Sequence, residues 1–414
     1  MISKYFQRTI LTASAVLGLA ALVSAQDGST RPRRVNAPPS NVSRVEANTP
    51  AASGDNASDS SNASGARVSA PRGGAAPASA ADTSHAYSLL QQKQYAAAAR
   101  EAKQIAASDP NNSEAWKIAG FAEFNLKQYE EASADLQRAL DLQRAAGAED
   151  ANTVDALAKA YVLTEKFDRA LPLLVTATTR KGASADAAML YYRGLSEYRT
   201  GKAAEAERSF NAAVKANPKD AASLYYLGQI AVARNDLDGA ISALNRATQS
   251  DARLAQAWTL LTSAYLRRAA QGTGAKADAD YLNAVRAGEG LTRVRTDADA
   301  AMLYGQALIG AKQYTRAAVA LERAAAGEQA KGPAIYLLGV AYSRAENYPK
   351  AIAALERAAA RTPDDVNIYR ELGYAYEVSK LYAKALAAYQ KGAELAPADT
   401  NFKESIERVQ PFAK

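Results

Sequence analysis

The sequence predicts an all-α chain in which short helical pairs stack into one long array. Three observations predict it. Most of the 414 residues compare with themselves at a 34-residue period. Aromatic residues make up only 7% beside abundant alanine, which favours packed helices over a large β-sandwich. Within one period the apolar positions recur at spacings of three and four, as in Tyr369, Leu372 and Tyr376. Other counts exclude chemistry. With no cysteine there is no disulfide framework, thiolate zinc site or thiol nucleophile. The single histidine, His85, cannot supply a multi-histidine metal site.

The first 25 residues read as an address. Lys4 and Arg8 precede an uncharged run, Ile10 to Ala25, that ends in the small-residue pattern Val23-Ser24-Ala25. The run has 16 residues, short of the roughly 20 that span a bilayer. A signal peptide cleaved after Ala25 is expected, with a bacterial periplasmic or secreted location. Residues 26–82 are rich in Ala, Ser, Gly, Asn and Pro with almost no large apolar side chains. Such a composition cannot offset its ordering entropy, so a disordered linker is expected. Arg31, Arg33, Arg34 and Arg44 give it a weakly basic start that could anchor it to anionic polymer or lipid.

The array follows. Gly194 and Gly228 stand 34 residues apart, as do Gly305, Gly339 and Gly373. Gly120 holds the same slot, and Ala86, Ala158 and Thr262 fill it in other copies. Twelve residues after each slot comes an alanine: Ala98, Ala132, Ala170, Ala206, Ala240, Ala317, Ala351 and Ala385, with Ala284 completing the set after a longer gap. Four residues further on stands a larger group in most copies, among them Leu136, Phe210, Leu244, Leu355 and Tyr389. A mid-helix glycine costs about 1 kcal/mol relative to alanine, so close approach of the partner helix, with the alanine opposite it, is the expected reason. Pro110, Pro218, Pro363 and Pro397 are expected to end the second helix of their copies.

The pattern resembles the tetratricopeptide repeat. Its clearest copy is Tyr369-x2-Leu372-Gly373-x2-Tyr376, continued by Ala385-x3-Tyr389 and Pro397. The resemblance implies a right-handed α-solenoid of about nine helix-turn-helix units. They are placed at 79–112, 113–146, 151–184, 187–220, 221–254, 255–297, 298–331, 332–365 and 366–399. Residues 400–414 are expected to form a capping helix, because the end of a stack must be covered. An insertion, residues 267–280, is expected as a longer turn inside the sixth unit.

In the family it resembles, one face of each first helix lines a concave groove that holds peptides. Mapped by spacing, that face carries Tyr191, Tyr198, Arg199, Tyr225, Gln229, Arg267, Tyr336, Arg344, Arg370 and Tyr374, with Tyr87, Lys117, Phe121, Phe124 and Gln306 as lesser candidates. Tyrosine and arginine suit a peptide with aromatic or acidic groups, or a sugar polymer stacked on the rings. No phosphate-binding glycine loop, G-x-S-x-G or H-E-x-x-H occurs. Neither a catalytic site nor a cofactor or metal site is therefore expected. After residue 82 there are 42 basic and 38 acidic residues, too balanced to imply nucleic acid. The expected function is a non-enzymatic scaffold or assembly factor of the cell envelope that binds proteins or peptides. The alternative is a carbohydrate- or peptidoglycan-binding accessory of a polymer export machine.

Overall fold

The computed structural model describes residues 82–180 and 186–413. The expected signal peptide and all but the last residue of the expected linker lie outside them. Among the described residues nineteen α-helices form nine antiparallel pairs and a cap. The pairs are α1 (Ser84–Gln91) with α2 (Tyr95–Ser108), α3 (Ser113–Asn125) with α4 (Tyr129–Ala145), and α5 (Ala151–Leu163) with α6 (Phe167–Thr179). Then come α7 (Ala187–Arg199) with α8 (Ala203–Ala216), α9 (Ala221–Ala233) with α10 (Leu237–Ser250), and α11 (Ala255–Gln271) with α12 (Gly274–Val294). Last are α13 (Ala298–Gly310) with α14 (Tyr314–Ala324), α15 (Gly332–Arg344) with α16 (Tyr348–Arg361), α17 (Val366–Val378) with α18 (Tyr382–Leu395), and the cap α19 (Thr400–Val409). The chain is an α-solenoid, each helix packing on the next in order. No described helix is long and apolar enough to cross a membrane.

Local chemistry sets the helix ends. Asn112, Asp150, Asp186, Asp220, Asp297 and Asp365 each precede a first helix and accept a backbone N–H from its first turn. Inside eight of the pairs the turn is closed by one repeated bond, in which a backbone N–H reaches the carbonyl five residues back. Gln128 to Glu123 (2.9 Å), Asp236 to Ala231 (2.9 Å) and Asn347 to Tyr342 (2.9 Å) are examples. This closure puts the preceding residue in the left-handed region. Only Gly201 among the eight is a glycine; the others are Lys93, Lys127, Glu165, Asn235, Lys312, Glu346 and Lys380, with φ from 57° to 63°. A side chain there costs about 1–2 kcal/mol, part of which glycine returns as unfolded-state entropy. Glu346→Gly is therefore expected to stabilise the array by about 0.5–1 kcal/mol. A thermal melt that shows no gain would contradict it.

Packing between the two helices of a pair depends on the glycine slot, though not through the expected partner. A Cβ built on Gly228 would lie 2.6 Å from Leu244 Cγ, and one on Gly194 would lie 2.8 Å from Phe210 Cδ1. The same holds for Gly120 and Leu136, Gly305 and Leu321, Gly339 and Leu355, and Gly373 and Tyr389. The group seated on each glycine is thus the large side chain sixteen residues on, not the alanine twelve residues on. Those nine alanines are nonetheless all fully buried, at 0% exposure. They have no room for a larger side chain because a neighbouring helix covers them.

A second recurring contact joins five of the pairs to the next. Tyr161 Oη donates to Gln137 (2.8 Å), Asn245 donates to Tyr265 Oη (3.0 Å), and Tyr342 and Tyr376 donate to Glu322 and Glu356. Burial and the Glu322 bond push the Tyr342 hydroxyl up to about 12. In the first junction the same slots hold a salt bridge, Lys103 with Glu123. Asp135 lies 3.5 Å from the same lysine. Burial pushes the Glu123 carboxyl up to about 7, against the Lys103 hydrogen bond that pulls it down and with the Asp135 charge that adds to the rise. A raised acid pKa means the folded state holds the proton more tightly. Its stabilising effect is complete below about 4.5 and is lost as pH rises through about 7. Glu123→Gln should therefore gain stability relative to the parent between pH 5 and 8. Parallel melting curves of the two proteins across that range would contradict this.

The sixth unit corrects an expectation. Residues 267–280 do not form a long turn. α11 continues to Gln271, α12 begins at Gly274, and the extra residues lengthen both helices to 17 and 21 residues. The extension holds because it carries its own core: Ala269 and Ala277 are buried, and Arg268 donates to both oxygens of buried Asp280 at 2.9 and 2.6 Å. The extra residues near Ala145 likewise lengthen α4 to 17 residues.

Candidate functional site

Successive first helices (α1, α3, α5 and so on to α17) touch one another at all eight junctions, and the second helices make no comparable approach. The first helices therefore line the inner, concave side, as helices on the inside of a bend must lie closer together. The groove they form is the candidate binding surface.

Its most developed part spans α7 and α9. Tyr191 and Tyr225 occupy the same slot of consecutive pairs, each followed by a second tyrosine, Tyr192 and Tyr226. Tyr226 stacks on Phe210 of α8 with centroids 5.1 Å apart and rings 3° from parallel. Around it stand Tyr198 (5.4 Å), Tyr225 (5.3 Å) and Tyr191 (6.3 Å), and Tyr191 also meets Tyr192 (5.5 Å). Burial pushes the Tyr225 hydroxyl up to about 12 and raises those of Tyr191, Tyr192 and Tyr226. A half-buried tyrosine ordinarily finds a partner for its hydroxyl. The packing tyrosines Tyr161, Tyr342, Tyr376 and Tyr389 do so. Those of the α7–α9 cluster make no hydrogen bond to any described residue. Their rings are held by one another while their polar ends stay available.

The other candidates are placed differently. Tyr336 is buried, only 8% exposed, and belongs to the core; it is not open groove surface. The reason is that every residue of α15 from Ala334 to Ser343 is buried. Burial raises the pKa of the Tyr336 hydroxyl, and the charges of Arg344 and Arg370 oppose that rise. Arg344 is committed to Glu371 by two bonds, 2.9 and 2.8 Å. Arg370 bonds Asp399 (2.7 Å) and Asn367 (2.6 Å). Arg267 reaches Asn235 (3.0 Å), and Arg199 lies 3.9 Å from Glu165 with its guanidinium over Phe167. Tyr374 sits edge-on to Tyr348 at 6.4 Å. Gln229 is half-buried one turn beyond Tyr225. A 450 Å³ cavity at the turn before α14 is lined by Lys312, Tyr314, Arg316, Arg344 and Glu346. Its Arg316 is bound to Glu289 (2.7 Å). The groove arginines thus hold the array together, and the neutral tyrosines form the presented surface.

Of the lesser candidates, Tyr87 is exposed, while Lys117 pairs with Glu114 and Asp150 at 3.1 and 3.2 Å. His85 is exposed and meets Glu101 at 2.8 Å. Sequence reasoning missed Tyr192 and Tyr226. The doublet Tyr-Tyr at 191–192 and again at 225–226, one period apart, was the available signal.

Comparison with known proteins agrees with this geometry. The family model described as "Tetratricopeptide repeat" matches residues 83–150, 156–207, 193–257 and 336–400, together more than half of the chain. A model for anaphase-promoting complex, cyclosome, subunit 3, matches residues 278–358. No curated protein matches the chain. Among solved structures, YrrB, described as a TPR protein with an unusual peptide-binding site, is 18% identical. It covers 49% of this chain and 99% of its own, with a TM-score of 0.42. MamA from Desulfovibrio magneticus RS-1 is 24% identical over 44% of this chain and 97% of its own, with a TM-score of 0.38. A tetratricopeptide repeat protein from Parabacteroides merdae is 14% identical over 63% of this chain and 98% of its own, with a TM-score of 0.39.

Proposed function

Because this chain belongs to the tetratricopeptide repeat family, and so is a protein–protein interaction scaffold in general kind, we propose that it is a non-enzymatic assembly factor of a bacterial cell envelope. It is exported by residues 1–25 and holds extended segments of partner proteins in the groove of its first helices. The leader pattern supports export. The observation that carries the groove reading is the α7–α9 tyrosine cluster, whose rings are fixed by mutual packing and whose hydroxyls bond no described residue. Such side chains bring large contact area with little left to immobilise, which is what makes tyrosine a frequent anchor.

The test is crosslinking in cells followed by identification of what is captured. The variant Tyr191→Ala/Tyr225→Ala should keep its helical signal and lose at most about 2 kcal/mol, since both rings are only partly buried. It should lose at least tenfold in captured partner. Undiminished capture would remove the groove from the mechanism. Recovery of envelope glycan with no protein would replace this reading by the carbohydrate-binding one, for which the same tyrosine faces would serve as stacking platforms.

A further inference from the structure

The chemistry of the α7–α9 patch narrows its ligand, and the chain itself contains a match. Resting on the groove reading above, we infer that this patch binds an extended proline- and arginine-rich segment, and that its resident occupant is the chain's own residues 31–39, Arg-Pro-Arg-Arg-Val-Asn-Ala-Pro-Pro, folded back in cis.

The argument begins with what the patch offers. The groove arginines at 267, 344 and 370 bond groups of the protein itself, and Arg199 at the edge of the patch lies over Phe167, 3.9 Å from Glu165. The patch presents tyrosine faces and hydroxyls. Flat aromatic rows with hydrogen-bonding tips recognise the polyproline conformation, whose rings pack on the faces and whose free backbone carbonyls accept from the tips. The same faces attract guanidinium groups. A ligand that alternates proline with arginine satisfies both at once, and residues 31–39 hold three of each.

Reach supports the same occupant. Residues 40–81 separate this segment from the start of the array. At the Gly/Ser limit a chain of that length has a root-mean-square span of about 35 Å, and the alanines and prolines of this one can only lengthen it. Successive first helices in contact lie about 10 Å apart, which puts α7 and α9 about 30–40 Å from α1. A tether whose mean span matches the distance gives the highest effective concentration, on the order of millimolar. The segment is thus held where it competes with any partner for the patch.

The absence of cysteine makes the test direct. In the full chain, Asn36→Cys is paired with Gln229→Cys inside the groove, or with Arg246→Cys on the exposed side of α10. Disulfide formation is followed under mild oxidation. The groove pair is expected to close at least about tenfold faster than the control pair, as monomer, at a rate independent of protein concentration. Adding Pro32→Ser, Pro38→Ser and Pro39→Ser should bring it down to the control rate, although none of these positions lies in the folded array. A synthetic peptide of residues 29–41 should slow it by competition. Equal rates for the two pairs would overturn the inference. So would closure only between two copies, or a rate unmoved by the proline substitutions. If the pairs close equally while Tyr191→Ala/Tyr225→Ala still abolishes partner capture, self-occupancy fails and the groove reading stands. If that variant captures partner normally yet loses the fast closure, the groove reading fails and self-occupancy stands.

Discussion

Phe402→Ala is expected to lower stability by about 3–5 kcal/mol, the range for removing a buried aromatic. Phe402 is 1% exposed. Its ring lies so close to Gly392 of α18 that a Cβ there would overlap it. The guanidinium of Arg370 stands 5.1 Å from the ring centroid on the other side. No other described residue of α19 except Val409 is buried. The cap therefore depends on this one side chain more than on any other. In a stack where each unit is stabilised by its neighbours, losing the cap should loosen α18 and α17 before the rest. Hydrogen exchange should show protection falling at the C-terminal end first, with α3–α8 unchanged. Phe412→Ala is the control: Phe412 is 64% exposed and meets the Tyr382 ring at 5.3 Å, so its loss should cost less than about 1 kcal/mol. A uniform loss of protection along the array, or equal effects of the two variants, would contradict the cap's role.

Glu371→Ala is expected to cost a similar 3–5 kcal/mol, for a different reason. Its side chain is 8% exposed and that of Arg344 is 12% exposed, so removing Glu371 takes a bidentate carboxylate away from a largely desolvated guanidinium. The bond is bidentate, 2.9 and 2.8 Å, and it ties α15 to α17 across the groove face. Replacing both members by apolar groups, Arg344→Met/Glu371→Leu, should come within about 1–2 kcal/mol of the parent, because the cost of burying two charges disappears with their attraction. Chemical denaturation of the three proteins checks this. If the double variant is as unstable as Glu371→Ala, the pair contributes more than it costs and the argument fails.

The repeat makes the scaffold legible in the sequence alone. A period of 34 residues, an alanine that never varies and prolines at unit ends are local statements about helix spacing, and helices obey local rules. The turn closure is less legible. Nothing in Lys93, Glu165 or Glu346 announces a left-handed residue, because its conformation comes from the hydrogen bond across the turn and not from side-chain preference. The insertion departs from its expected form for a related reason. Gly272 and Gly274 suggest a loop, yet Ala277 and Asp280 gain a buried environment that repays continuing the helix.

The groove divides along the same line. Register places Tyr191, Tyr198 and Tyr225 on one face of their helices, the resemblance implies that this face lines the groove, and the structure gathers all three around Tyr226. Register could not say that Tyr336 would be covered, since its burial comes from the packing of the whole of α15 into the core. Nor could it say that the arginines at 344 and 370 would be bound to Glu371 and Asp399, 27 and 29 residues away. The helical pair and its stacking could be read from the repeat alone, because they follow from local spacing, and the resemblance it carries implied that the first helices line the groove. Only the tertiary structure decided which groove side chains remain available. Availability depends on what the next unit places against each one, and neighbouring units, unlike their spacing, are not alike.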